Sequence, residues 1–135
     1  MTNTWMRHFL ILTISAALSA EFAKAADGGR PVRKIETAEF DGLRHKTNTV
    51  ILDVRTSEEF KAGHVEKALN VDFRSSDFAK KVAQLDKEKT YLVHCARGGR
   101  SEAAVDVLRK AGLTNVLDYT GGFSAWTKAG KPVVR

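Results

Sequence analysis

The segment Thr90-Tyr91-Leu92-Val93-His94-Cys95-Ala96-Arg97-Gly98-Gly99-Arg100-Ser101 decides both the fold class and the candidate chemistry. Its apolar start predicts a buried strand, and the residues after it have helical apolar spacing. The turn between them holds the only cysteine of the chain, two glycines and two arginines. A helix N-terminus carries partial positive charge and unpaired N–H groups. Together with the guanidinium groups it lowers the pKa of a thiol, so Cys95 is predicted to be a reactive thiolate.

The rest of the chain alternates short apolar runs with helical patterns. The run Thr49–Val54 is typical of a strand buried on both faces of a parallel sheet. Helices are expected to begin near Thr37, Ser57 and Ser76, with Thr37 and Ser76 as N-caps. This alternation predicts an α/β fold with a mostly parallel central sheet and helices on both faces. Ligands of such sheets bind beyond the C-terminal strand ends, where Cys95 lies.

The first residues resemble a secretory signal. Arg7 precedes a largely apolar run at 9–18, and Ala23-Lys24-Ala25 has the form of a signal-peptidase site. We expect a signal peptide at 1–25, cleaved after Ala25, then a flexible lead-in at 26–33 and one domain at 34–135. An uncleaved N-terminal anchor is the alternative. The run is shorter than the roughly 20 apolar residues that span a bilayer, so no membrane span is expected after cleavage.

Charge and cysteine content narrow the function classes. The 135-residue chain has a net charge of +6. Removing 1–25 takes away Arg7, Lys24 and Glu21, which leaves 110 residues at +5. No dense basic block accompanies this charge, so small anions are favoured over nucleic acid as partners. A single cysteine excludes an intramolecular disulfide, and a chain of this size with ordinary surface polarity is expected to be a monomer.

The residues from Cys95 to Ser101 can form an anion-binding loop. Gly98 and Gly99 can adopt backbone angles closed to other residues, which lets successive N–H groups converge on an anion. Arg97 and Arg100 can add charge-assisted hydrogen bonds. Ser101 is a candidate cap of the following helix, with a hydroxyl that can also face the loop. A buried, inert thiol is the alternative for Cys95.

Three ordered motifs are similar to those of the single-domain rhodaneses, or sulfurtransferases. The first is Leu52-Asp53-Val54-Arg55 with Glu59-Phe60 and Gly63-His64-Val65, and the second is the Cys95 loop itself. The third is Gly121-Gly122-Phe123 with Trp126 and Gly130. The resemblance covers roughly residues 33–134. Lys67, where the family commonly has glycine, and Val65, where it commonly has isoleucine, are departures outside the loop.

The resemblance implies a thiosulfate sulfurtransferase with the rhodanese fold. Cys95 would take the outer sulfur of thiosulfate as a persulfide, release sulfite, and pass the sulfur to cyanide or a thiol. Ala96, Arg97, Gly98, Gly99, Arg100 and Ser101 would bind the anionic donor. No metal or organic cofactor is implied. With the signal peptide, this suggests a periplasmic enzyme.

Four further residues are expected to support the site rather than react. Asp53 and Arg55 at a strand end form either an internal ion pair or part of the pocket, and Glu59 is a candidate third member of that pairing. His64 is expected to be a structural hydrogen-bonding residue near the sheet edge. His94 is expected to point away from the thiol, because neighbours in a strand face opposite sides.

Three rival functions remain open from the sequence. A sulfur-carrier module would load once and hand its sulfur only to a docked partner. A cysteine phosphatase is less favoured because its motif has five residues between cysteine and arginine, whereas Cys95 and Arg100 have four between them. A thiol redox sensor is the third, although the lack of a second cysteine argues against it.

Overall fold

The computed structural model of the protein describes residues 30–135. In this part of the chain five strands, numbered β1 to β5 in chain order, form one sheet. Their order across the sheet is β1-β5-β4-β2-β3, and all neighbouring strands are parallel. The predicted α/β fold class is thereby confirmed. The strands are β1 (Arg33–Ile35), β2 (Thr49–Asp53), β3 (Leu69–Asn70), β4 (Thr90–His94) and β5 (Val116–Tyr119).

Helices cover both faces of this sheet, as predicted. Alternate residues of β4 point to the two faces of the sheet. Val93 packs in the apolar cluster that contains Phe78 and Leu108, and Leu92 packs in the cluster that contains Phe40 and Trp126. This explains why the central strands are continuous apolar runs. The helices are α1 (Thr37–Leu43), α2 (Ser57–Ala62), α3 (Phe78–Ala83), α4 (Gly99–Lys110) and α5 (Gly122–Lys128).

Strand β1 was not predicted from the sequence. It begins at Arg33, inside the segment assigned to the flexible lead-in, and pairs with β5 from Arg33 to Ile35. Arg33 and Lys34 are exposed and only Ile35 is buried, so this edge strand has one apolar residue and no detectable alternation. Backbone pairing with β5 stabilises it instead.

Three predicted helix caps are wrong. Glu36, not Thr37, occupies the N-cap position of α1, and the Thr37 hydroxyl lies 2.8 Å from the Tyr119 hydroxyl. Asp77, not Ser76, precedes α3. Helix α4 starts at Gly99 with Gly98 as N-cap, so Ser101 lies inside the first turn. At Thr37 a tertiary contact and at Gly98 a left-handed glycine override the local capping preference.

The predicted signal peptide at 1–25 and its cleavage site lie outside the described residues. Within residues 30–135, no helix is long and apolar enough to cross a membrane.

We predict that Lys67→Gly stabilises the fold. Lys67 is exposed and has a φ of 65°, a left-handed conformation that costs a residue with a Cβ about 1 kcal/mol and glycine far less. Urea unfolding is expected to show a gain of up to about 1 kcal/mol. Lys67→Ala keeps the strained φ and is the control, so an equal gain in that variant would contradict the backbone explanation.

Candidate active site

Two carbonyl groups of the loop between β4 and α4 accept hydrogen bonds from the start of α5, and these bonds fix the position of the loop. The N–H group of Phe123 donates to the Cys95 carbonyl at 2.8 Å, and that of Ser124 to the Ala96 carbonyl at 3.0 Å. His94 Nδ1 donates to the Cys95 carbonyl at 3.0 Å. Gly122 allows this approach, because a Cβ there would lie 2.6 Å from the Cys95 carbonyl oxygen. Sequence reasoning assigned no such role to Gly122, although the Gly-Gly pair before a helix is a signal for close packing.

Backbone N–H groups of the same loop face the thiol. The N–H group of Gly98 donates to Cys95 Sγ at 3.1 Å. Burial, the largest effect, raises the pKa of the Cys95 thiol, but hydrogen bonds from the backbone N–H groups of Ser101, Arg97 and Gly98 and from the Ser101 hydroxyl outweigh it and lower the pKa below its usual value. The loop therefore favours a thiolate.

Cys95 is buried, with 1 % of its surface exposed. The sequence analysis predicted a reactive thiolate and kept a buried, inert thiol as the alternative, and the structure places the thiol in the interior. The covered thiol differs from an inert core cysteine in having polar N–H partners. Arg97 and Gly99 on the same loop are exposed, which places the solvent-facing side of the loop next to these residues.

The two glycines of the loop are not equivalent. Gly98 has a φ of 102°, and a Cβ there would lie 2.6 Å from the Thr120 carbonyl oxygen. Gly99 is the first residue of α4 and has open space where a Cβ would be. The sequence assigned a special conformation to both, but only Gly98 requires glycine.

Arg100 is paired with Glu59. Its Nη1 and Nη2 atoms donate to the Glu59 carboxylate at 2.7 and 3.0 Å. The same carboxylate accepts hydrogen bonds from Thr56 and completes the capping box of α2. The predicted pairing of Glu59 with Asp53 and Arg55 is therefore wrong for its side chain. Arg97, in contrast, is exposed and its side chain has no hydrogen bond or ion pair with residues 30–135.

Asp53 and Arg55 form a buried ion pair. Arg55 Nη2 lies 2.7 Å from Asp53 Oδ2 and 2.8 Å from the Gly63 carbonyl oxygen, and the guanidinium carbon lies 3.9 Å from the centre of the Phe123 ring. These contacts tie β2 to the segment after α2 and to α5. Of the two roles left open by the sequence, the geometry fits the internal ion pair.

The two histidines near the site have structural contacts. His64 Nδ1 lies 2.9 Å from the Phe60 carbonyl oxygen, and the His64 ring stacks on the Phe60 ring. His94 is fully buried and packs edge-on against Phe40 and Tyr119, whose cluster lies on the sheet face opposite the one that includes Cys95. Neither histidine has a contact that would make it a base for the thiol.

Asp118 is a site residue that the sequence analysis missed. It lies on β5, is 2 % exposed, and is hydrogen-bonded to the Ser101 hydroxyl, whose oxygen lies 2.8 Å from Asp118 Oδ1. Burial raises the pKa of its carboxyl group. A charged residue inside an apolar strand pattern was the available signal, since buried carboxyl groups are rare without a partner.

Comparison with known proteins decides the family. The rhodanese-like domain model matches residues 36–129, which is more than half of the chain. The chain belongs to the rhodanese-like family. A rhodanese-related protein from Thermoplasma volcanium superposes with a TM-score of 0.67 and 35 % identity over 76 % of this chain and 97 % of that one. The resemblance to single-domain rhodaneses is thus confirmed.

The relatives of this rhodanese-like chain are named for different activities. Thiosulfate sulfurtransferase 16 of Arabidopsis thaliana is 41 % identical over 91 residues, 60 % of this chain and 76 % of that protein. The tRNA uridine(34) hydroxylase of Cytophaga hutchinsonii is 32 % identical over 96 residues, 69 % of this chain but 31 % of that protein. The similarity supports sulfurtransferase activity at the level of the family.

Alanine at the two loop glycines should have opposite consequences. Gly98→Ala combines a left-handed φ with a clash against Thr120, and we expect it to lower the free energy of unfolding by about 2–3 kcal/mol. Gly99→Ala is expected to change it by less than about 0.5 kcal/mol, as at an open helix position. Urea unfolding of both variants checks this, and equal effects would show that the loop conformation is misassigned.

The ion pair between Glu59 and Arg100 should stabilise the fold in a defined pH range. Hydrogen bonds from Arg100, the largest effect, and from Thr56 outweigh burial and lower the pKa of Glu59 from 4.5 to about 2. The stabilisation is therefore complete above pH 4.5 and is lost as the pH falls toward 2. Glu59→Gln keeps a side chain that can form the capping box, so the stability difference from wild type reports the charge. We expect up to about 1 kcal/mol, because solvent screens this half-exposed pair.

Urea unfolding as a function of pH measures this difference. Glu58→Gln removes a neighbouring exposed carboxylate and is the matched control. A wild-type advantage over Glu59→Gln that persisted unchanged at pH 2 would contradict the assignment.

Proposed function

We propose that this protein is a thiosulfate sulfurtransferase that carries sulfane sulfur on Cys95. The Cys95 thiolate attacks the outer sulfur of thiosulfate or a related small anionic donor, and the sulfur–sulfur bond breaks with its electron pair leaving on sulfite. An acceptor such as cyanide or a thiol then attacks the outer sulfur of the persulfide and releases the thiolate. The observation that carries this proposal is a single thiol bound by N–H groups at the C-terminal end of β4.

The residues of the loop have different proposed roles. The N–H groups that converge on Cys95 stabilise the thiolate and the anionic outer sulfur. Arg97, exposed and without a side-chain partner in the described part of the chain, meets the incoming donor. Arg100 is held by Glu59, so it contributes to the field of the site from a fixed position. The exposed Gly99 marks the side from which a donor reaches the thiol.

Burial of Cys95 favours a second candidate, a structural thiol without turnover. At 1 % exposure the thiol of the wild-type protein would then neither load sulfur nor react with small reagents. The lowered pKa supports the sulfurtransferase instead, because an inert thiol in apolar surroundings has a raised pKa. The periplasmic location and the monomeric state remain proposals from the sequence.

The test is mass spectrometry of the purified protein after incubation with thiosulfate, followed by steady-state turnover with cyanide. We expect a mass gain of one sulfur atom, its removal by cyanide, and sustained formation of thiocyanate. Cys95→Ser should show neither and is the control for surface adducts. No mass gain in the wild type would overturn the proposal in favour of the structural thiol.

The turnover result separates the remaining rivals. A single round of thiocyanate release without further turnover would identify a carrier. Appreciable hydrolysis of p-nitrophenyl phosphate, lost in Cys95→Ser, would identify a phosphatase.

A further inference from the structure

Besides the Cys95 thiol, the Ser101 hydroxyl has two oxygen neighbours, and it has only one proton. Its oxygen lies 3.0 Å from the Gly98 carbonyl oxygen and 2.8 Å from Asp118 Oδ1. A carbonyl group cannot donate, so the Ser101 proton can serve only one of the two contacts. Both contacts are hydrogen bonds only when Asp118 is protonated. In that arrangement the Asp118 O–H group donates to Ser101 Oγ, and the Ser101 O–H group is left to donate into the loop, to the Gly98 carbonyl or to the Cys95 thiolate.

The surroundings of Asp118 fit a neutral carboxyl group. Asp118 is 2 % exposed and Ser101 is fully buried. The groups facing Asp118 are Val93 on β4 and Lys34 on β1, its neighbours in strand register, and Ser101 and Glu102 on α4. Lys34 and Glu102 lie 3.7 Å apart, so their opposite effects on Asp118 largely cancel. Burial is the largest influence and raises the pKa of Asp118.

We propose that Asp118 is a positioning residue for sulfur transfer: in its protonated form it donates to the Ser101 hydroxyl and so directs the Ser101 proton into the Cys95 loop. This inference rests on the proposed function of Cys95. The Ser101 hydroxyl is a second donor to the Gly98 carbonyl beside the Glu102 N–H group, and its hydrogen bond to the thiol lowers the pKa of Cys95. The Gly98 N–H group itself donates to Cys95 Sγ at 3.1 Å. The orientation of one buried proton is thereby linked to the group that stabilises the thiolate.

Ionisation of Asp118 reverses this arrangement. Its carboxylate accepts the Ser101 proton, the Gly98 carbonyl keeps only the Glu102 N–H donor, and a negative charge appears beside the loop. Both changes disfavour the Cys95 thiolate. The rate of sulfur transfer is therefore expected to fall as the pH rises through the pKa of Asp118. Ionisation of Cys95 alone would have the opposite effect, because it would raise the rate as the pH rises.

Infrared spectroscopy tests the protonation directly. The difference spectrum of wild type minus Asp118→Asn near pH 6, about two units above the ordinary aspartate value of 3.9, should contain the C=O stretch of a protonated carboxyl group. Asp106→Asn, which removes an exposed carboxylate of α4, should lack this band in its own difference spectrum. Absence of the band in the Asp118 difference would overturn the proposal.

Kinetics test the positioning role. Asp118→Leu removes the donor and is expected to lower kcat by roughly 2- to 10-fold, the value of one hydrogen bond, with KM for thiosulfate nearly unchanged. Asp118→Asn supplies an N–H donor that does not titrate, so it should restore most of kcat and lose the alkaline fall. In a Ser101→Ala background the Asp118 substitutions should add no further effect, since the link is broken.

A separate readout distinguishes this inference from the proposed function. Ultraviolet absorbance of the thiolate, with Cys95→Ser as the blank, follows the ionisation of Cys95 without any turnover. Ser101→Ala and Asp118→Leu should both raise the pKa of Cys95, and an unchanged thiolate titration would overturn the positioning role. If thiosulfate is not turned over at all, the sulfurtransferase proposal fails, while the infrared and absorbance results still decide the role of Asp118.

Discussion

The carbonyl groups of Cys95 and Ala96 are bound by the N–H groups of Phe123 and Ser124, and the properties of the loop depend on this contact. A peptide group has its C=O and N–H on opposite sides, so fixing the Ala96 carbonyl toward α5 directs the Arg97 N–H group of the same peptide toward the thiol. Gly122, with a φ of 63°, allows the two backbones to approach. The C-terminal Gly-Gly segment therefore acts on the chemistry of Cys95 without touching its sulfur.

The charged side chains around the loop are mostly paired with one another. Arg100 is paired with Glu59 and Arg55 with Asp53. Each carboxylate offsets part of the electrostatic effect of its arginine on the Cys95 sulfur. The effects that lower the Cys95 pKa come instead from backbone N–H groups and the Ser101 hydroxyl. Fixed dipoles at hydrogen-bond distance need no reorganisation when the charge on sulfur changes. The paired arginines contribute rigidity: each joins two separate segments of the chain to the site.

The spacing of apolar residues predicted the central strand, the loop and the following helix, because these three are adjacent in the sequence. Strand β4, the loop and helix α4 follow one another within the segment from Thr90 to Lys110, and their apolar spacing matches the observed burial. Contacts between distant positions were not predictable in this way. The pair between Arg100 and Glu59 spans 41 residues, and the bond between Ser101 and Asp118 crosses from α4 to β5. Spacing carries no information about such partners, so Glu59 was misassigned and Asp118 was overlooked.

Burial of the thiol and its proposed reactivity are compatible on physical grounds. Removing water from a site strengthens every remaining electrostatic interaction, so the N–H groups around Cys95 stabilise an anion more strongly than they would in solvent. The same enclosure limits what the loop can accept. A persulfide adds one anionic atom that can share the donors already directed at the sulfur. A phosphoryl group would bring three oxygens, each requiring its own donors, and Arg100 is already engaged by Glu59. The enclosed thiol and the paired arginine are thus compatible with the proposal that the transferred group is a single sulfur atom.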